Sequence, residues 1–300
     1  VKIEEGVALG RYTTFGSGGP ARGFTRARSE QDVTEALAWA SERGLPALAL
    51  GFGSNLLVAD EGIEALVLRL EGELASVEIE VEKIIAGGGA ADALCARTAQ
   101  AAGLSGLEFA ASIPGTVGGG VCMNAGAWGS DFGAVLSRAL VADREGSRWL
   151  DRDELGLRYR GSGLKPGQIV IKAELQLERS SSEEIASGVR VKKEQRKSSQ
   201  PSGIRTFGSV FKNPEHELGA GRMIDACGLK GERSGGARIS LQHANFIENT
   251  GGATTADALA LIDLARNRVY ERFNVVLEPE VRLLGKIALP PLEGSGAKHG

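Results

Sequence analysis

Two glycine-rich stretches carry the residue types that hold an anion. The longer covers positions 111–129 and reads Ala-Ser-Ile-Pro-Gly-Thr-Val-Gly-Gly-Gly-Val-Cys-Met-Asn-Ala-Gly-Ala-Trp-Gly. Its glycines free the main chain to take positive φ and let another molecule lie against the amides, a geometry suited to phosphate. Pro114 before Gly115 predicts a type II turn. Apolar Ile113, Val117, Val121, Met123 and Trp128 predict that the loop is seated in a core. No Gly-Lys-Ser/Thr follows it, and it lacks the Gly-x-Gly-x-x-Gly spacing between a strand and a helix. The shorter stretch, Gly51-Phe52-Gly53-Ser54-Asn55-Leu56-Leu57, adds a hydroxyl and an amide that suit phosphate oxygens. Alone it reads equally well as a β-turn. Paired with the longer loop, it predicts two loops gripping one elongated ligand.

Three further groups have side chains able to do chemistry. They are Arg158-Tyr159-Arg160-Gly161-Ser162, Gly208-Ser209-Val210-Phe211-Lys212-Asn213-Pro214, and Glu278-Pro279-Glu280. By type alone each has a plain reading as well. Arg160 serves as a surface ion-pair partner, Ser209 as a turn hydroxyl, Asn213 as a turn residue before Pro214, and the two glutamates as solvated carboxylates. His243 reads as a hydrogen-bonded strand residue or as a site residue.

Composition narrows the classes. With 300 residues, 42% hydrophobic and 24% charged, the chain is an ordinary globular protein large enough for two or three domains. A net charge of -3 gives no reason to expect nucleic acid or an anionic membrane as partner. No apolar run approaches a membrane span, and the first ten residues lack an apolar signal core, which predicts a cytoplasmic protein. Cys95, Cys122 and Cys227 are odd in number and predict free thiols. His occurs only at 216, 243 and 299, so no metal site is expected.

The elements that must position these groups follow from periodicity. Ser29 with Asp32 caps a helix carrying Val33, Ala36, Leu37 and Ala40 on one face and stopping at Gly44. Residues 45–50, 63–70, 77–86 and 135–143 read as strands, 91–102 as a helix stopped by Gly103, and 152–157 as an acidic turn. From Ile169 an alternation sets Ile169, Ile171, Ala173, Leu175 and Leu177 against Val170, Lys172, Glu174, Gln176 and Glu178, predicting a strand with one wet face. Residues 180–199 form a charged helix, and Gln200-Pro201-Ser202-Gly203 a linker at a domain boundary. A short helix over 218–227 and a strand over 243–248 follow. Thr254 with Asp257 then caps a helix running to Phe273, with Ala258, Leu261, Ile262, Ala265 and Val269 inward. A final strand covers 275–284, and a mobile tail starts at Ala288.

In this order the pieces resemble the UDP-N-acetylenolpyruvoylglucosamine reductase family, flavoenzymes of bacterial peptidoglycan precursor synthesis. The resemblance rests on Thr-Thr-Phe-x-x-Gly-Gly-Pro-Ala at 13–21, the turn at 51–55, the motifs within 112–129, Tyr-Arg-Gly-Ser at 159–162, and the run at 208–214. It extends to His-Ala-Asn-Phe-Ile-Glu-Asn at 243–249 and Leu-Glu-Pro-Glu-Val-Arg-Leu-Leu-Gly at 277–285. Gly120 and Cys122 depart from other small residues common in the family, and Trp128 from a common Tyr. The span 169–208 has no room for an extra substrate-covering loop, so the chain resembles the shorter subtype.

The resemblance implies an α+β protein: a two-subdomain FAD-binding region of the vanillyl-alcohol-oxidase (PCMH) type plus a smaller α+β substrate-binding domain. Residues 1–60 and 61–200 would be the FAD subdomains and 201–274 the substrate domain, with 275–300 a strand returning to the active site and a tail. FAD would be held without a covalent bond by Gly51, Gly53, Ser54, Asn55 and Leu56, and by Ser112, Ile113, Pro114, Gly115, Gly118, Gly119, Asn124, Ala125 and Gly126. The implied reaction uses NADPH as co-substrate, with hydride passing through the flavin to C3 of the enolpyruvyl UDP-sugar and a proton added at C2. Arg160 would hold the developing enolate, Ser209 would give the proton, and Glu280 would steady the other side of the charge. Tyr159, Lys212, Asn213 and His243 would meet the substrate, with the segment 196–200 a candidate for its pyrophosphate. No obligate protein partner, nucleic acid or membrane is implied. The rivals are an oxidase or dehydrogenase of the same superfamily with covalent flavin, and a non-catalytic nucleotide- or sugar-binding module. Flavin that stays with an acid-precipitated pellet favours the first; colourless protein that takes up no FAD favours the second.

Overall fold

The computed structural model describes residues 1–292. The chain forms two units, one from Val1–Val7, Ala21–Phe52 and Glu64–Ser198, the other from Ala8–Pro20, Gly53–Ile63 and the chain from Ser199 onward. The change of unit at Ser199 lies beside the expected linker at 200–203. Of the tail expected from Ala288, residues 293–300 lie outside the described residues.

The first unit holds two sheets. One is four-stranded, in the order Val7–Ala8, Pro20–Ala27, Ile63–Leu70, Ala47–Ala49. Helix α1 (Glu30–Glu42) belongs with it, started by the expected capping box of Ser29 and Asp32. Val33, Ala36, Leu37 and Ala40 pack into a core with Leu66, Leu68, Ile169 and Ile171. The other sheet is five-stranded and antiparallel, in the order Gly146–Asp151, Leu136–Asp143, Ile169–Gln176, Lys83–Gly87, Val77–Glu80. Helices α2 (Asp92–Ala101) and α3 (Val117–Met123) share its core through Cys95, Ala96, Ala99, Val117 and Val121. Helix α4 (Ser182–Ser199) follows that sheet, as its charge pattern predicts.

Four local expectations change. The strand expected over 77–86 is a hairpin, folded at Val81 with φ 57°. Gly146–Asp151 is a strand where none is expected. The wet face of Ile169–Gln176 is only partly open: Val170 and Glu174 are buried, Lys172 is half-buried and Gln176 is exposed. The glycine stretch at 111–129 contains helix α3 instead of being loop throughout. Glycine costs a helix about 1 kcal/mol relative to Ala, and its use here is explained by contact. A Cβ on Gly118 would stand 2.9 Å from the Gly88 carbonyl oxygen, and one on Gly120 would stand 2.3 Å from the Phe132 ring. The helix is glycine-rich so that it can lie directly on the sheet.

The second unit is built on an antiparallel four-stranded sheet, in the order Arg205–Ser209, Phe246–Asn249, Ala237–Ile239, Arg233–Ser234. Helices α5 (Ala220–Ala226) and α6 (Thr255–Phe273) complete it, α6 starting at the Thr254/Asp257 capping box. Its core gathers Phe15, Leu57, Phe207, Phe211, Met223, Ile247, Leu261 and Ile262. The final strand is shorter than expected, Arg282–Leu284, and runs parallel to Leu56–Val58. Pro279 cannot donate to a ladder; residues 278–280 pair instead with 210–212, through Lys212 N–H to the Glu278 carbonyl at 2.9 Å and Glu280 N–H to the Val210 carbonyl at 2.8 Å.

Candidate active site

In the first unit the two glycine-rich stretches meet, as expected. A Cβ on Gly51 would stand 2.5 Å from Thr116 Oγ1, so only glycine lets the shorter turn close on the longer. Thr116 has no role by sequence, yet it is the residue on which the pair closes. The turn at 114–115 is tighter than type II: Gly115 N–H donates to the Ile113 carbonyl at 3.0 Å, and Gly115 is not among the positive-φ glycines. Ser112 Oγ is buried and meets no hydrogen-bond partner among the described residues. Gly119 is exposed, and a Cβ there would meet nothing nearer than Thr116 Oγ1 at 3.7 Å. A waiting hydroxyl and an open main-chain surface fit a polar cofactor laid across this turn. Gly118 has another duty, since its N–H donates to the Gly88 carbonyl at 2.8 Å.

Asn124, Ala125 and Gly126 form the frame behind Arg160. Asn124 ends α3 at φ 40° and is nearly fully buried. Its Nδ2 donates to Asp131 Oδ2 at 3.1 Å and to the Arg158 carbonyl at 3.2 Å, while its Oδ1 accepts from Gly133 N–H at 2.8 Å. Ala125 N–H donates to the Gly120 carbonyl at 2.8 Å, and Gly126 pairs with Asp131. Arg160 sits in a turn closed by Arg158 and Gly161, itself at φ 55°. Positive φ is uncommon for a non-glycine residue. Its Nη2 donates to the Gly126 carbonyl at 2.8 Å, and its guanidinium lies 5.0 Å from the centre of the exposed Tyr159 ring. Tyr159 also lines a cavity of about 580 Å³ with Asp131, Arg152, Asp153 and Arg158.

In the second unit the turn 53–56 is tied to the C-terminal strand. Asn55 Nδ2 donates to the Glu280 carbonyl at 3.1 Å, Arg282 N–H donates to the Asn55 carbonyl at 3.0 Å, and Leu56 pairs with Arg282. The Ser54 carbonyl lies by Gly208, 3.3 Å from where its Cβ would be. Glu280 is thereby held from both sides, by Asn55 at its carbonyl and by Val210 at its N–H. Ser209 is the neighbour of Val210 and pairs with Phe246. The structure thus brings the main chain of Glu280 against Val210, the residue after Ser209, from a distant part of the sequence. Asn245 organises this pairing and has no sequence-derived role, although it lies within the 243–249 motif. Its carbonyl accepts from Val210 N–H at 2.9 Å, its Oδ1 accepts from Phe211 N–H at 3.0 Å, and its Nδ2 donates to the Phe211 carbonyl at 2.8 Å.

The expected substrate ligands of this unit have protein partners. Lys212 Nζ lies 3.3 Å from Glu278 Oε2. Asn213 Oδ1 accepts from Ala220 N–H at 3.1 Å, holding the start of α5. His243 Nδ1 accepts from Asn245 N–H at 3.2 Å, and burial moves its pKa below the ordinary value. All three cysteines are free, and no helix among the described residues is long and apolar enough to cross a membrane.

Comparison with known proteins agrees with this layout. Residues 21–149 match the FAD binding domain family, and residues 200–284 match the C-terminal domain of UDP-N-acetylenolpyruvoylglucosamine reductase. The chain is 41% identical over 289 residues to the UDP-N-acetylenolpyruvoylglucosamine reductase of Bacillus licheniformis, covering 95% of each. It is 42% identical over 281 residues to that of Rubrobacter xylanophilus, covering 93% of this chain and 94% of the relative. The crystal structure of UDP-N-acetylenolpyruvylglucosamine reductase from Thermus caldophilus superposes with a TM-score of 0.83 at 38% identity, covering 94% of this chain and 99% of that one. With near-complete coverage at this identity, the chain belongs to the UDP-N-acetylenolpyruvoylglucosamine reductase family.

Proposed function

We propose that the protein reduces the enolpyruvyl group of UDP-N-acetylglucosamine enolpyruvate to give UDP-N-acetylmuramate. NADPH is the hydride source and solvent replaces the added proton. Membership of the family supports this reading, and the observation that carries it is the main-chain pairing of Glu280 with Val210, which brings Glu280 to the residue next to Ser209. FAD, when bound, supplies the hydride chemistry, and its reactivity is the cofactor's own. We assign it to Gly51, Gly53, Ser54, Asn55 and Leu56 and to the turn and helix start around Ser112, Ile113, Pro114, Gly115 and Gly119. Gly118, Asn124, Ala125 and Gly126 support that surface from behind.

The protein's own work is electrostatic and protonic. Hydride addition at C3 leaves negative charge on C2 and the carboxylate joined to it. Arg160 is a permanent cation, fixed by the Gly126 carbonyl, and pairs with that carboxylate as the charge builds. One such aimed donor is typically worth about 3–4 kcal/mol to the transition state. Ser209 passes its hydroxyl proton to C2, a step open to a weak acid only because the enolate is strongly basic. Glu280 shares a proton with the other side of the same charge. Tyr159, Lys212, Asn213 and His243 face the sugar nucleotide, Lys212 by exchanging Glu278 for a phosphate or carboxylate. We place the reaction in the cytoplasm, in keeping with three free thiols.

NADPH oxidation that depends on the enolpyruvyl UDP-sugar tests the proposal directly. Oxidation that ignores this substrate, or none from flavin-loaded protein, overturns it. Ser209→Ala separates the steps. Flavin reduction by NADPH should stay near normal, while substrate reduction should fall by about 10²–10⁴-fold, the usual size of an acid-base contribution. Equal loss in both steps removes Ser209 from the acid role.

A further inference from the structure

One acid of the first unit has no part in the chemistry above. Asp92 opens α2, and its main-chain N–H donates to the Gly115 carbonyl at 3.1 Å. Its side chain is buried, with the residue only 1% exposed. Neither Oδ1 nor Oδ2 meets a hydrogen-bond partner among the described residues. The carboxyl lies against the turn at 112–116, where a Cβ on Gly115 would stand 2.5 Å from Oδ2. Acids at helix starts ordinarily turn toward the first free amides; this one turns into the loop. The turn offers only Ser112, Ile113, Pro114, Gly115 and Thr116, none of them ionisable. On its own helix Asp92 faces Cys95, whose thiol is pushed up to about 12, by burial first and then by Asp92. Among the described residues no charged side chain offsets the burial, which alone pushes the Asp92 carboxyl up to about 8.

We propose that Asp92 is a positioning residue for the cofactor, held as the neutral acid beneath the 112–116 turn, and that surrender of its proton to solvent loosens the turn and weakens FAD binding. This rests on the assignment of Ser112, Ile113, Pro114 and Gly115 to the dinucleotide. Two effects act in the same direction. A buried carboxylate with no donor is costly, and it regains solvation only if the turn lifts to admit water. The new negative charge also lies under a surface assigned to an anionic dinucleotide, in surroundings that screen it poorly. By linkage the coupling is reciprocal: bound FAD keeps the proton on Asp92, and loss of that proton favours release of FAD. The buried, unpartnered Ser112 hydroxyl at the start of the same turn marks the surface through which the two communicate.

The test is a titration of flavin-stripped protein with FAD, followed by flavin fluorescence, from about pH 6.5 to about pH 9.5. The wild-type Kd should hold steady to about pH 8 and then rise, reaching about tenfold or more by the top of the range. Asp92→Asn, which cannot ionise, should bind at pH 7 within about threefold of wild type and show no such rise. Asp92→Ala serves the same end if the amide does not fold. Hydrogen exchange at the amides of residues 113, 115 and 116, corrected for intrinsic rate, reads the turn without flavin. Protection should fall above pH 8 in the wild type alone. A flat wild-type Kd together with unchanged protection overturns the proposal, as does an equal pH loss in wild type and Asp92→Asn. Protection that falls while FAD affinity stays flat instead overturns the assignment of this turn to the dinucleotide, and with it the link to the cofactor.

Discussion

Glu174 and Asp92 are acids buried in the same unit, and their surroundings move them in opposite directions. Glu174 stands in the strand Ile169–Gln176, opposite Arg138 in the neighbouring strand, whose Nη2 donates to Oε1 at 2.6 Å. Lys83 Nζ approaches its other oxygen at 3.9 Å, and the Arg138 guanidinium lies 4.4 Å from the centre of the Trp149 ring. The Arg138 hydrogen bond outweighs burial and holds Glu174 below its ordinary value. Asp92 is more deeply buried, with no donor among the described residues, and is pushed up to about 8. Burial by itself raises an acid that has no donor, and a charged partner reverses the direction.

The largest effect that tests this contrast is on stability. Unfolded, Asp92 gives up its proton near the ordinary value of 3.8; folded, it keeps the proton to about pH 8. The native state therefore binds more protons across that window, so stability falls as pH rises from about 4 to about 8 and levels off above it. Asp92→Asn removes this slope and should stabilise the protein at pH 7 by about 2–4 kcal/mol. Urea unfolding of the apoprotein at several pH values measures it. A variant that is less stable at pH 7, with the slope retained, shows that Asp92 finds a donor in solution and erases the contrast.

How far these groups were legible in the sequence depends on whether their partners are local. The caps of α1 and α6 are within three residues of their helix starts, and both are where Ser29/Asp32 and Thr254/Asp257 predict them. Motif order carried the family, and the meeting of the two glycine turns followed from their composition. What stayed hidden depends on the far side of a contact. Helix α3 cannot be read from glycines, because they answer to Gly88 and Phe132. Glu174 looks wet in a period-two pattern, since nothing local shows Arg138 and Lys83 covering it. Asn245 sits in a quoted motif, but its role appears only when residues 210–211 pair beside it. The Val81 turn has no Gly or Asn to announce it.

A middle-sized effect comes from giving Glu174 the condition of Asp92. Arg138→Met keeps much of the stem over Trp149 and removes the donor. Glu174 then keeps only the more distant Lys83, and the Arg138 side chain is itself 43% exposed, so water takes up part of the loss. The variant should be less stable than wild type at pH 7, by less than Asp92→Asn gains. Because the folded pKa of Glu174 is depressed, the stabilisation is present above its ordinary value of 4.5 and is lost as pH falls through the lower folded value. Wild type and variant should therefore converge in acid. A gap that persists unchanged there assigns the loss to packing on Trp149.

The smallest expected effect is that of Glu174→Gln, and it asks whether the charge or the hydrogen bond is the useful part of the pair. Gln keeps an oxygen that accepts from Arg138 Nη2, and it relieves the desolvation of a carboxylate that is only 9% exposed at its side chain. Against that, it turns an amide toward Lys83 and loses the stronger, charge-assisted bond. These effects oppose one another, and the net loss should be below about 1 kcal/mol, less than for Arg138→Met. That ordering follows if what a buried acid needs is a donor. If Glu174→Gln costs as much as removal of Arg138, the requirement is the charge itself, and Asp92 differs from Glu174 in lacking a cation rather than in lacking any partner.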